Sequence, residues 1–74
     1  MPRTTLVFSL SSSQAQRDLL HEFSLHRDLD ATGEVTAGLP TIQVVVGDVA
    51  TRVWEVRATV GMFDDAATEV GGQA

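Results

Sequence analysis

Apolar residues recur at every second position in three segments of this chain, Thr4–Leu10, Thr41–Val46 and Thr51–Phe63, and the period lengthens to that of a helix between Ala15 and Phe23. That pattern calls for a sheet with helical cover, because alternating strands carry one apolar face that another element must bury. The first alternating segment runs from Thr4 to Leu10. Leu6, Phe8 and Leu10 fall on one face, and Thr5, Val7 and Ser9 on the other. Ser11-Ser12-Ser13 interrupts it. Ser11 with Gln14, and Ser13 with Gln16, both have capping-box spacing, so a helix is expected to start there. Its apolar stripe is Ala15, Leu19, Leu20 and Phe23, with Arg17, Asp18, His21 and Glu22 pointing away. Further on, the same period would bury His26 and Asp30 and expose Leu25 and Leu29. The helix should therefore end between about Ser24 and Asp28, and Gly33 reads as a firm stop.

Glu34 to Leu39 fits either a short strand or a loop bracketed by Gly38 and Pro40. Thr41 to Val46 is the clearest strand, with Ile42, Val44 and Val46 on one face and Gln43 and Val45 on the other. Gly47-Asp48-Val49-Ala50 reads as a short hairpin connection. Thr51 to Phe63 then reads as a long alternating strand, with Trp54, Val56, Ala58, Val60 and Met62 inward and Val53, Glu55, Arg57 and Thr59 outward. These elements predict an α+β class: a single β-α-β-β domain over residues 1–63, with one helix packed on a small mixed sheet. The helical crossover favours a parallel pair, and the last two strands an antiparallel one. Residues 64–74 read as a flexible polar tail, or as one helical turn through Asp65–Glu69.

Size and charge exclude several function classes. At 74 residues there is room for one small core, which rules out two-domain enzymes and dinucleotide-binding domains. The absence of cysteine removes disulfides, zinc knuckles and thiol nucleophiles. A net charge of −5 argues against nucleic acid and anionic membranes as partners. All five basic residues are arginine, a usage that suits a GC-rich bacterial genome. No apolar run approaches the ~20 residues of a membrane span, and the N-terminus lacks a signal peptide's apolar stretch. A cytoplasmic protein without cofactor is expected.

The individual motifs are incomplete. His21 and His26 are five apart, whereas two zinc-binding histidines on one helix face are four apart. Asp28-Leu29-Asp30-Ala31-Thr32-Gly33 has the first half of a calcium loop, but Leu39 stands where the closing glutamate belongs. It reads instead as a turn, and no metal ligand set is assigned. Ser11–Ser13 have no base and acid arranged for a hydrolase. The informative feature is the sheet's outer face: Thr5, Val7, Ser9, Thr41, Gln43, Val45, Val53 and Thr59, with only Glu55 and Arg57 charged. A solvated sheet face usually carries more charge. Val7, Val45, Val53, Trp54 and Arg57 are therefore the expected binding residues, although an indole on the inward face of a central strand is more often core than a stacking platform. A core this small also favours association, so a homo-oligomer or a subunit of a larger assembly is expected.

Met1-Pro2 before a strand, a helix ending near Glu22-Phe23-Ser24, and the segment Ile42 to Trp54 together resemble the 4-oxalocrotonate tautomerase family. The resemblance covers the chain to about Phe63. It implies a short β-α-β unit assembled into oligomers, with Pro2 as catalytic base once Met1 is removed and Trp54 as the active-site aromatic. The sequence departs from the family at Ser11-Ser12 and Gln43, where arginines are expected, and at Glu55–Ala58, where a glycine-rich stretch belongs. Three readings follow: an accessory or regulatory protein acting through protein contacts, a tautomerase-like isomerase or inactive subunit of one, and a small-molecule-binding regulatory domain.

Overall fold

Six elements follow one another: β1 (Arg3–Ser9), α1 (Ser13–Ser24), β2 (Asp30–Thr36), β3 (Leu39–Gly47), α2 (Ala50–Phe63) and β4 (Thr68–Gly72). The computed structural model describes residues 3–47 and 50–72. The strands form one sheet in the order β2-β3-β1-β4, and every neighbouring pair is antiparallel. β1 and β2 therefore run parallel without touching, with β3 between them. This is the split β-α-β, or ferredoxin-like, topology.

The class is the small α+β expected, but its parts differ from the sequence reading. The second helix occupies the segment read as the long strand, the sheet is antiparallel instead of mixed, and residues 68–72 join it as β4. The boundary placed at residue 63 is thus not a structural one. Gly33 does not stop a helix either; it lies within β2, opposite Ile42.

One core fills the space between the helices and one sheet face. Leu6 and Phe8 of β1 and Ile42, Val44 and Val46 of β3 pack against Leu19 and Phe23 of α1 and Val56 and Val60 of α2. α1 starts at Ser12, whose hydroxyl accepts from the Ala15 N–H, and the chain leaves the helix at Leu25. Capping thus falls to the middle serine, which frees Ser11 for another contact. Gly33 matters because α1 crosses close above it. A Cβ there would stand 2.9 Å from Leu20 Cδ1 and 3.0 Å from Gln16 Nε2. The Gln16 amide uses that closeness to donate to the Glu34 and Thr41 carbonyls, at 2.9 and 2.7 Å.

β2 and β3 are joined by Ala37-Gly38, with φ of 53° and 81°. Positive φ at both positions marks the type I′ hairpin turn, which favours Asn-Gly. Alanine in the left-handed region costs about 1 kcal/mol. Ala37→Asn should therefore stabilise the fold by about 0.5–1 kcal/mol and raise its thermal midpoint by several degrees. An unchanged or lower midpoint would refute that account of the turn.

Candidate functional site

The sheet face turned away from the helices is the first candidate. Ladder register places Thr5, Val7 and Ser9 beside Gln43, Val45 and Thr41, with Thr32 and Thr68 on the flanking strands. Val7 and Val45 are diagonal neighbours at the centre, each half-buried. Charge is confined to the margins. Arg3 Nη1 meets Asp30 Oδ2 at 3.2 Å across the end of β3, above Gly47, and Glu34 lies on edge strand β2. The middle of the face carries hydroxyls, one amide and two valines, but no ion.

Four residues assigned to that face belong elsewhere. Val53, Glu55, Arg57 and Thr59 lie on α2, behind the sheet, so the expected set is split between two sides of the molecule. Val53 packs against the core. Trp54 is not inward; it is 67 % exposed, and the Arg57 guanidinium stacks 5.5 Å from its ring centroid. Arg57 is in turn held by both oxygens of Glu69 on β4, at 2.8 and 3.2 Å. The result is an indole with one face braced and the rest open to solvent.

Between α1 and α2 runs an open groove of about 330 Å³, floored by Phe23, Leu29 and Val56 and rimmed by Glu22, His26, Arg52 and Glu55. It lies at the small end of the range for ligand pockets. Its one guanidinium is already occupied. Arg52 makes a two-pronged contact with Asp28, at 2.7 and 2.9 Å, and reaches Glu55 at 3.0 Å. These bonds hold the Asp28 carboxyl below its ordinary pKa and raise that of Arg52. An anionic ligand would have to displace them.

The remaining motifs resolve in structural terms. Asp28 and Asp30 serve separate ion pairs, Leu29 between them is core, and Asp30–Thr36 is strand. His26 Nε2 lies 3.5 Å from Glu22, one turn earlier, while His21 sits exposed in the last turn of α1. Among the described residues no group of three or more histidines and carboxylates could hold a metal ion. No described helix is long and apolar enough to cross a membrane. Pro2 lies outside the described residues, whereas Trp54, the other residue named by the tautomerase resemblance, sits on the exposed side of α2.

Sequence reasoning missed the role of Asp64. Only 6 % exposed, its carboxylate accepts from the Ser11 N–H at 2.7 Å, the Ser11 hydroxyl at 2.8 Å and the Ala66 N–H at 3.1 Å. One side chain thereby ties the β1–α1 turn to the α2–β4 turn. No local pattern announces a bond spanning 53 residues. No protein-family model matches the chain, and no curated protein matches it in sequence.

Proposed function

We propose that this chain is a small accessory or regulatory protein that acts through protein contacts made by the open face of its sheet. The observation that carries the reading is the ion-free centre of that face, around Val7 and Val45, with charge only at its margins. Sheets bury such faces against other sheets or helices, and interface centres are depleted in charge in the same way. The small core agrees with this, since a chain of this length holds little stability in reserve.

Sedimentation velocity tests the reading. At about 10 μM the native protein should sediment above its monomer mass, alone or with the partner it serves, and Val45→Lys should remove that assembly while its far-ultraviolet dichroism stays native. A lysine at the centre of the face sets a desolvated charge against whatever covers it, enough to weaken the contact at least tenfold. A Val45→Lys protein that assembles as the native one does would refute this use of the face.

A further inference from the structure

The two helices pack on the same core, yet their solvent sides differ sharply. α1 turns Gln14, Arg17, Asp18 and His21 to water, as a surface helix ordinarily does. α2 turns Thr51, Trp54, Ala58, Gly61 and Met62 outward, with Glu55 beside them and the partly exposed Arg57 guanidinium stacked on Trp54 and paired with Glu69. Trp54 is 67 % exposed and Met62 84 %. A helix apolar on both sides is expected between two partners, not at a surface.

We infer that the outer side of α2 is a second contact surface, and that it pairs with α2 of a second copy in a two-fold antiparallel arrangement centred on Ala58. The residue order supports that occupant. An antiparallel pair with Ala58 at its centre sets Trp54 opposite Met62 of the other copy, bringing indole and thioether together at both ends. Ala58 meets its own counterpart, and a small residue there lets the two backbones approach closely. Charge limits where two copies can meet. Two chains of net charge −5 repel over most of their surface. Glu55 falls opposite Gly61 of the other copy, so the two carboxylates do not face one another, and each is already held by its own Arg52. Trp54 enters the contact braced by Arg57, which reduces the ordering cost of the aromatic anchor.

The buried area sets the strength. Trp54 and Met62 each leave on the order of 150 Å² in water, and with the small residues between them the pair would remove roughly 800–1,000 Å². That falls below the ~1,200 Å² of a standard stable interface, so the pairing is weak and concentration-dependent.

Trp54 is the only tryptophan, so its fluorescence reports this surface alone. Between about 1 μM and 1 mM its emission should shift to the blue as its accessibility to acrylamide falls, while the sedimenting mass rises. Ala58→Arg, at an exposed position, should abolish the emission shift and the loss of quenching while the far-ultraviolet dichroism stays native. Val45→Lys should leave both in place, which separates this surface from the sheet face. Emission and quenching that do not change over that range would overturn the inference. So would concentration-dependent changes that survive Ala58→Arg, or a Trp54 shift that appears only when an unrelated protein is added.

Discussion

Val60→Asp should unfold the chain at 25 °C, whereas Met62→Asp should leave it folded with a stability change within about 0.5 kcal/mol. The two side chains are two residues apart and share one face in any alternating strand. On helix α2 they part company: Val60 is 2 % exposed, Met62 84 %. A carboxylate at Val60 has no cation among its core neighbours, and an unpaired buried charge costs roughly 4 kcal/mol or more. A core of this size rarely supplies more than about 3–5 kcal/mol of net stability. Circular dichroism and a urea titration of both variants measure the contrast. Equal damage from the two substitutions would restore the strand reading of Thr51–Phe63.

Asp64→Ala should cost about 2–3 kcal/mol, because it strips the acceptor from two backbone N–H groups and one hydroxyl at a nearly closed site. The bonds from the Ser11 N–H lead in holding the Asp64 carboxyl below its ordinary pKa, with the Ser11 hydroxyl and the Ala66 N–H adding to them. The sign of the pH effect follows. The folded-state pKa is lower than the unfolded value near 3.9, so the stabilisation is complete above about pH 4–5. It is lost as pH falls through the unfolded and then the folded value. Asp28 is depressed in the same direction by Arg52 and adds to the same acid limb. Asp64→Asn should therefore flatten the fall in urea midpoint between pH 5 and pH 2 without removing it entirely. A variant whose acid limb runs parallel to the native one would show that Asp64 carries no linked proton.

Much of the core was legible in the sequence. Leu6 and Phe8 of β1, Leu19 and Phe23 of α1, and Ile42, Val44 and Val46 of β3 are buried as their spacing requires. Those segments are apolar at one period and polar at the other, so each spacing admits one conformation. Thr51–Phe63 has no such contrast. Trp54, Val56, Ala58, Val60 and Met62 alternate, but Val53, Val56 and Val60 also recur at helical spacing, because apolar residues cover both sides of α2. The discriminating signal was its length, thirteen residues of which the first ten contain no glycine, which is long for a strand and ordinary for a helix. The same two-sided apolarity that obscured the helix leaves Trp54 and Met62 exposed on its outer side.

The sequence by itself determined the α+β class, the inward faces of β1, α1 and β3, and a sheet whose outer face is poor in charge. Alternation and capping are local properties, and a few neighbouring residues suffice to express them. Tertiary structure alone decided that β3 lies between β1 and β2, that β4 closes the far edge, and that Asp64 ties together two turns. It also decided that Trp54 faces water while Val56 and Val60 fill the core. Those outcomes depend on which distant surfaces meet. The partner that makes one face of a helix the inside is not written in the helix's own period.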